Sequence, residues 1–275
     1  IVCYLHILFY FECPQNPSYI LEAQTWFHDP LSKIEAHLFS LPAPKRCRVF
    51  LAGANPFALK SKRLLEIAGL IYKHFPTCKT IGCFARVTDV TSKTDEELAA
   101  LREAGYTGLT IGIETGDDKA LAFMNKGYAA QDIVAQCARL DAADIAYAFF
   151  YLAGISGKGH GIEGARLTAA VCNQTRPSLI GANILTIYKN SELYQEILAG
   201  NWEEETEIEK YQEIKALVED LEIPVEYAML GASNPVMMQG RLPEQRTQII
   251  AALDRVIEEI GEDRLRHYRT NLKHL

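Results

Sequence analysis

The chain has 275 residues, 48% of them hydrophobic, which is enough to build the core of one large domain. Its 28 lysines and arginines stand against 35 aspartates and glutamates, and the net charge of −7 disfavours a nucleic-acid surface held mainly by counterion release. The seven cysteines are scattered and odd in number, which favours reduced thiols in a cytoplasmic protein over a disulfide framework.

The N-terminal run at residues 1–11 is apolar but short. It lacks a basic flank and a small-residue cleavage site, and it is shorter than the roughly 20 residues needed to cross a bilayer. We therefore predict a buried first strand and no membrane partner. The first residue is Ile1 rather than Met, which predicts that the sequence is a fragment or has been trimmed.

Strand and helix patterns follow an irregular segment at residues 13–26. The predicted helices lie at residues 30–39, 60–75, 94–104, 117–124, 130–143, 161–175, 191–199, 205–221 and 243–260. The predicted strands lie at residues 47–52, 79–85, 108–113, 145–153, 178–187 and 225–231. Thr94 and Glu97 form a capping-box pattern, Gly105 marks the end of that helix, and Asp117 is placed to cap the helix that it begins. The C-terminal tail is predicted to be polar.

Strand and helix alternate at intervals of about 30 residues between residues 47 and 190, which is typical of β–α units with parallel strands. With the end strands, about six or seven strands are expected. We predict an α/β fold, a partial (β/α)6 TIM-like barrel with parallel strands and a C-terminal strand-helix extension. An open doubly wound sheet is the alternative. Residues 1–200 would form the barrel core and residues 201–275 the extension.

The carboxyl ends of parallel strands converge on one rim, so the residues at these ends are the candidate site. They are Cys13, Gly53, Ala54, Asn55, Arg86, Glu114, Thr115, the glycines of 154–159, Asn183, Tyr188, Ser233 and Asn234. This composition suits a small zwitterionic or hydroxyl-rich ligand. Glu114 is suited to an ammonium group or a pair of ribose hydroxyls, and Arg86 to a carboxylate.

These residues also have simpler interpretations. Glu114 can be only a strand end followed by a helix cap, Arg86 a rim ion pair, and the glycines turn residues. Residues 154–159 lack the third-glycine spacing of a dinucleotide-binding loop. Asn183 is uncommon inside an apolar strand, which favours a ligand or polar-network role. Lys126 lies in a helix break and is predicted to face solvent.

The segment Ile111–Gly116 (IGIETG), followed by Met124–Gly127 (MNKG), resembles the radical S-adenosylmethionine (radical SAM) superfamily. In that superfamily a strand ending in G-x-E-[ST]-G precedes a helix that ends in a similar turn. The similarity continues at Val49–Ala54 and Gly181–Leu185, and it extends from about residue 27 to residue 257.

The resemblance implies the same partial (β/α)6 barrel and a site for S-adenosylmethionine. Gly53 and Ala54 would lie beside the methionyl amino group, and Arg86 beside its carboxylate. Glu114 would bind the ribose or the methionyl end, and the segment Gly154–Gly157 would back the adenine. The predicted cofactor-binding residues are Gly53, Ala54, Arg86, Glu114, Thr115, Gly154, Gly157 and Asn183.

The superfamily also holds a 4Fe–4S cluster on three cysteines, usually spaced C-x3-C-x2-C just after the first strand, because the cluster irons are bound through sulfur. Only Cys13 lies there, and it is the one predicted metal ligand. The other two positions fall on Pro17 and Ile20, or with a spacing one residue longer on Ser18 and Leu21. Without the cluster, no electron reaches the sulfonium and no 5′-deoxyadenosyl radical forms.

Three hypotheses follow. The first is a radical SAM enzyme that cleaves S-adenosylmethionine reductively to act on an unknown substrate, with its cluster motif damaged in this sequence. The second is a cluster-free protein on the same scaffold that binds S-adenosylmethionine or another small ligand without radical chemistry. An unrelated barrel enzyme with Glu114 as a base ranks last, because no strand ends in the lysine that Schiff-base chemistry needs.

Overall fold

Nine strands and eleven α-helices are present in the part of the chain that the computed structural model describes. The described residues are 4–11, 20–26, 31–39, 47–53 and 55–272, and only the backbone is described at 4–11, 20–26, 37, 39 and 47. The predictions for Cys13 and Ala54 lie outside these residues.

The strands are β1 Tyr4–Phe11, β2 Ile20–Trp26, β3 Cys47–Gly53, β4 Cys78–Arg86, β5 Tyr106–Glu114, β6 Ala146–Ala153, β7 Leu179–Ile184, β8 Val225–Met229 and β9 Met238–Leu242. The helices are α1 Leu31–Phe39, α2 Ser61–His74, α3 Val87–Thr91, α4 Asp95–Glu103, α5 Asp118–Phe123, α6 Ala130–Ala142, α7 Gly161–Cys172, α8 Glu192–Leu198, α9 Glu207–Asp220, α10 Arg246–Arg255 and α11 Glu262–Thr270.

The chain divides into two units. The first comprises Ile1–Gly112 and Ala138–Tyr147, and the second comprises Ile113–Cys137 and Ala148–Leu275. The predicted C-terminal extension, residues 201–275, belongs to the second unit together with β7. The predicted domain boundary at residue 200 stays a prediction.

In the first unit the strands follow the order β2-β1-β3-β4-β5. Strands β3, β4 and β5 are parallel neighbours, as predicted. Along β4, alternate side chains at Ile81, Cys83 and Ala85 are buried, because successive side chains of a strand point to opposite faces. Helix α2 buries an apolar face that includes Leu64 and Ile71. The 3.6-residue period of its sequence predicted this face.

The N-terminal prediction needs correction. Residues 20–26 were expected to be irregular, yet they form β2, which pairs antiparallel with β1. Strand β1 also pairs antiparallel with β3, so it is not a parallel barrel strand. The prolines that suggested irregular structure, Pro14 and Pro17, both precede β2 and therefore do not interrupt its hydrogen bonds.

In the second unit the strand order is β6-β7-β8-β9, with β6, β7 and β8 parallel and β9 antiparallel to β8. Phe149, Tyr151 and Ala153 alternate into the core from β6. Helix α7 packs against α9. Small residues such as Gly164 and Ala169 are buried along α7, which allows a close approach of neighbouring groups.

The α/β class with parallel central strands is confirmed, and the predicted helices from residue 30 to residue 221 are present. Helix α3, strand β9 and helix α11 were not predicted. Helix α11 buries only Leu265, so it lacks the apolar periodicity that reveals a helix from sequence. None of the helices in the described ranges is long and apolar enough to cross a membrane.

Candidate ligand-binding site

Glu114 ends β5 in a backbone conformation that is rare for its residue type. Its φ is 60°, in the left-handed region that costs a residue with a Cβ about 1–2 kcal/mol. Strain of this kind persists only where the surroundings enforce it, and it concentrates at functional sites. The side chain is 25% exposed, so its carboxylate remains within reach of a ligand.

The partner of Glu114 is Lys126, whose Nζ lies 3.1 Å from Glu114 Oε1. The prediction that Lys126 faces solvent holds only in part: its side chain is 28% exposed, and its ammonium group pairs with Glu114. After α5, Asn125 adopts a φ of 51°, and this turn brings Lys126 back to the end of β5. Tyr128 reinforces the return by donating its hydroxyl to the carbonyl of Ile113 at 3.1 Å.

The turn after Glu114 is locked by a buried threonine pair. The Thr115 hydroxyl lies 3.2 Å from that of Thr168 on α7, and the Gly116 amide donates to Thr168 Oγ1 at 2.7 Å. A Cβ on Gly116 would lie 2.7 Å from the α7 backbone, so only glycine fits there. Asp117 caps α5 as predicted, accepting from the Lys119 amide at 2.9 Å. Contact between Thr115 and a cofactor stays a prediction, because the described contacts of its hydroxyl are internal.

The loop after β6 carries the two predicted adenine-backing glycines, both with positive φ: Gly154 at 90° and Gly157 at 79°. The Gly154 amide donates to Glu213 Oε2 at 2.7 Å, and a Cβ here would meet the Lys210 side chain at 3.1 Å. At Gly157 a Cβ would lie 2.8 Å from Trp202 Nε1. The side chains of Lys210 and Trp202 therefore occupy the space next to which a Cβ of Gly154 or of Gly157 would lie.

Asn183 lines a pocket of about 320 Å³ at the carboxyl ends of β7 and β8. The pocket brings together three predicted strand-end residues, because Tyr188 and Ser233 also line it. The Asn183 amide forms no hydrogen bond with the residues that the structure describes, and the nearby Thr186 hydroxyl is buried with no partner among them. Polar groups of this kind are available to a ligand.

The walls of this pocket are held by Asn234 and Arg269. Asn234 accepts from the Ile184 amide at 3.1 Å and donates to the Ala182 carbonyl at 2.9 Å, which ties residues 231–236 to β7. Arg269 of α11 donates to the Ser233 carbonyl at 2.8 Å and also to the Leu185 carbonyl. Asn234 was predicted only as a strand-end residue, and the role of Arg269 was not predicted because α11 was missed.

The predicted first-unit residues lie at the ends of β3 and β4. Gly53 ends β3 with φ 99°. Asn55 follows it, only 7% exposed, and neither polar atom of its amide has a partner among the described residues. Arg86 ends β4; its side chain is exposed and forms no ion pair within the described part of the chain. Its backbone amide donates to Asp89 at 2.6 Å, starting α3.

The cysteines of the described residues do not fit an iron–sulfur cluster. Cys78, Cys83, Cys137 and Cys172 are buried and form no disulfide within the described part of the chain. Burial raises the pKa of Cys83 and of Cys172, so both remain thiols, whereas a cluster needs thiolates. No group of three or more histidine, cysteine or acidic side chains in the described ranges is arranged to hold a metal ion.

No family model matches the sequence, and no curated protein matches it. Among solved structures, the fold is similar to archaeal Elp3 from Methanocaldococcus infernus with an N-terminal deletion, at a TM-score of 0.54 and 12% identity. The chain shares the fold of that Elp3 structure. The match covers 72% of this chain and 52% of the Elp3 chain, so this chain spans about half the length of that neighbour.

Two further structures are similar over smaller parts of this chain. Coproporphyrinogen III oxidase (HemN) from Escherichia coli, a radical SAM enzyme, matches at a TM-score of 0.45 and 13% identity over 52% of this chain and 32% of that chain. The methyltransferase TsrM from Kitasatospora setae, with cobalamin and a 4Fe–4S cluster bound, matches at 0.41 and 17% over 51% and 26%. The predicted α/β fold class with parallel strands is confirmed by the sheet itself.

Sequence reasoning missed several residues of the candidate site. Lys126 and Thr168 act on the Glu114 turn from positions 12 and 52 or more residues away, and no local pattern signals such pairings. The buried, unpartnered amide of Asn55 was included only as one of many strand-end residues. Its polar side chain beside Pro56, directly after an apolar strand, was the available signal.

Proposed function

We propose that this protein binds S-adenosylmethionine and that Glu114 binds its ribose or methionyl end. The observation that carries the proposal is the left-handed backbone of Glu114 at the end of β5, where its carboxylate has a partly exposed lysine partner. A ligand hydroxyl pair or ammonium group can replace that lysine at low cost, because a partly exposed ion pair contributes about 0–1 kcal/mol.

The sequence resemblance assigns further strand-end residues to the same ligand. Within the first unit, Gly53 has a positive φ, and the buried Asn55 amide lacks a partner among the described residues. We assign Gly53 and Ala54 to the methionyl amino group and Arg86 to the carboxylate. The segment Gly154–Gly157 would lie against the adenine.

Asn183 and Thr115 complete the proposed ligand set. The unbonded Asn183 amide in its pocket suits a nucleoside, which presents both hydrogen-bond donors and acceptors. Thr115 follows Glu114 directly and fixes the direction of that residue through its hydroxyl contacts with α7.

Reductive cleavage of S-adenosylmethionine is a separate matter, because it needs the electron that a 4Fe–4S cluster supplies. The described cysteines do not fit such a cluster, and Cys13 is the one cysteine at the expected place. We propose that radical chemistry on an unknown substrate requires a form of this protein in which the gene encodes three clustered cysteines. The chain with this sequence is assigned ligand binding alone.

Calorimetric titration with S-adenosylmethionine tests the binding proposal. We expect saturable binding by the wild-type chain and a loss of at least about tenfold for Glu114→Gln, equivalent to about 1.4 kcal/mol. Glu222→Gln, which removes an exposed carboxylate elsewhere, should bind as the wild type does. Absence of binding, or equal affinity of the Glu114→Gln and wild-type chains, would refute the proposal.

Anaerobic reconstitution with iron and sulfide tests the assignment of chemistry. The chain with this sequence should take up less than stoichiometric iron and show no cluster charge-transfer absorbance. Resequencing codons 13–26 of the gene then decides between the two origins of the missing cysteines. Three clustered cysteines there would assign the radical reaction to the natural protein; stoichiometric cluster binding by the present chain would overturn the binding-only assignment.

A further inference from the structure

A second cavity, of about 360 Å³, lies wholly within the second unit; through Ile155 and Ser156 it shares the segment Gly154–Gly157 with the proposed S-adenosylmethionine site. Its walls come from the start of α5, the loop after β6, the first turns of α7 and the segment at residues 201–202. The volume falls at the lower end of the range for small-molecule sites, about 300–1,000 Å³.

The upper walls of this cavity are apolar and largely uncovered. Phe123 is 44% exposed and Leu167 is 40% exposed, and both line the cavity together with Trp202. Ile155, which is buried, forms part of the inner wall. Large apolar side chains that share a concave surface and remain exposed mark a binding surface more often than an isolated exposed residue does.

The inner end of the cavity is polar. Asp117 is only 9% exposed; its Oδ1 accepts from the Lys119 amide, whereas its second oxygen has no hydrogen bond with the described residues. The Ser156 hydroxyl is buried, also with no partner among those residues. The two groups meet at Gly164 of α7: the Cβ position there is 2.3 Å from Ser156 Oγ and 3.8 Å from Asp117 Cβ.

The remaining charged groups stand at the rim. Lys119, His160 and Glu163 line the cavity from exposed positions, where solvent screens their charges. The screened rim leaves the nearly buried Asp117 carboxylate as the dominant charge at the inner end. A carboxylate in apolar surroundings favours a cation, and the aromatic faces of Phe123 and Trp202 favour it further.

We propose that this cavity binds a small ligand that carries a protonated amine on an aromatic or aliphatic body. The ammonium group bonds to the free oxygen of Asp117 and to the Ser156 hydroxyl, and the body lies between Phe123, Leu167 and Trp202. A ligand carboxylate is excluded from the inner end, because it would face Asp117.

Titration of the full chain with benzylamine, benzyl alcohol and phenylacetate tests the proposal, with Trp202 fluorescence and calorimetry as readouts. Benzylamine should bind at least about tenfold more tightly than benzyl alcohol, and phenylacetate should not bind. Equal affinity for benzylamine and benzyl alcohol would refute the proposal.

Two variants, Asp117→Asn and Phe123→Ala, locate the site, and Asp118→Asn is the control. Asp117→Asn keeps a residue that caps helices well but should abolish the preference for the amine, whereas Asp118→Asn removes the same charge one residue away, outside the cavity, and should keep it. Phe123→Ala, at an exposed position that folding tolerates, should weaken benzylamine binding at least about threefold. Retention of the amine preference by Asp117→Asn would overturn the assignment.

Competition separates this cavity from the proposed S-adenosylmethionine site. Saturating S-adenosylmethionine should leave benzylamine affinity unchanged, and so should Glu114→Gln. Displacement of benzylamine by S-adenosylmethionine would overturn the proposal of a second site without touching that of the first. Failure of S-adenosylmethionine to bind would leave the benzylamine result standing.

Discussion

The second unit holds carboxylates in two opposite ways. Glu114, at the end of β5, is partly exposed and pairs with one partly exposed lysine. At the start of α9, by contrast, Glu207 and Glu213 are fully buried and Glu205 is 2% exposed. These three residues form what we call the α9 acidic cluster, and protein groups bind each of them.

Glu207 is the ionic centre of the α9 acidic cluster. Its carboxylate lies 3.2 Å from Lys210 Nζ, 3.2 Å from Arg266 Nη1 and 3.1 Å from Arg269 Nε, although the last pair is not aligned for a hydrogen bond. Glu262 of α11 accepts from the Glu207 backbone amide at 3.0 Å. Glu207 therefore holds α11 in place through Arg266 and Arg269. Arg269 in turn donates to the Ser233 and Leu185 carbonyls at the Asn183 pocket.

Glu205 and Glu213 form a carboxyl pair. Glu213 accepts from the Gly154 amide and the Tyr151 hydroxyl, and Glu205 accepts from the Gly161 amide at 3.1 Å. Burial, then the neighbouring Glu205 charge, raises the pKa of Glu213 well above its usual range; burial also raises the pKa of Glu205. The pair therefore retains a proton in the folded state where free carboxyls are ionised.

The difference teaches how a structural carboxylate can be told from one available to a ligand. A carboxylate of the α9 acidic cluster is buried and bound by buried protein groups, so its removal leaves those partners unsatisfied. Glu114 has a strained backbone and a single solvent-reached partner, so its removal relieves strain and costs little stability. The predictions below separate the two kinds by their effects on stability and on binding.

The largest effect is expected for Glu207→Gln. Three cations would lose their shared charge partner, two of them in largely buried surroundings, and the free energy of unfolding should fall by about 3–5 kcal/mol. Urea unfolding measures the loss. Glu203→Gln, which breaks an exposed ion pair with Lys158, is the matched control and should cost less than about 1 kcal/mol. A loss for Glu207→Gln as small as that of the control would contradict the structural role.

A smaller effect of opposite sign is expected for Glu205→Gln. The glutamine side chain can accept a hydrogen bond from the Gly161 amide and donate one to the Glu213 carboxylate. The variant therefore needs no proton shared between the side chains at positions 205 and 213. Because the carboxyl pKa values of this pair are raised, its contribution to wild-type stability is fully present below about 4.3, the unfolded value, and is lost as pH rises through the folded values. The free energy of unfolding of Glu205→Gln should therefore fall much less than that of the wild type over the same pH range.

Unfolding measured at acidic and alkaline pH checks the second prediction. At alkaline pH, Glu205→Gln should be more stable than the wild type by at least about 1.4 kcal/mol, the equivalent of one pKa unit. Glu205→Ala, which removes the acceptor of the Gly161 amide, should be less stable at both pH values. Identical pH profiles of the wild type and Glu205→Gln would show that no proton is shared.

The contrast between Glu114 and the α9 acidic cluster was only half visible in the sequence. The apolar run before Glu114 and the Thr115–Gly116 turn predicted a strand end with a carboxylate, and both are present. Glu205 and Glu207 of the α9 acidic cluster lie in the acidic run at residues 203–209, a pattern typical of a solvated helix start, and Glu213 follows that run. Its burial depends on Arg266 and Arg269, about 60 residues later, in a helix without apolar periodicity.

The third prediction concerns strain at Glu114. Glycine adopts positive φ without the Cβ clash, so Glu114→Gly should raise the free energy of unfolding by about 1 kcal/mol. The same variant should lose S-adenosylmethionine binding. Gly116→Ala offers a contrast, since its Cβ would collide with α7 and destabilise the chain. A net loss of stability in Glu114→Gly would mean that the Glu114 side chain contributes to folding as the α9 acidic cluster does.

The smallest effect on stability is expected for Lys126→Met, which removes the partner of Glu114 but keeps an unbranched side chain. The free energy of unfolding should change by less than about 1 kcal/mol, because the pair is partly exposed. Affinity for S-adenosylmethionine should stay equal or rise by up to about threefold, since the ligand no longer displaces the lysine. A tenfold loss of affinity would instead assign Lys126 to the ligand, with Glu114 reduced to positioning it.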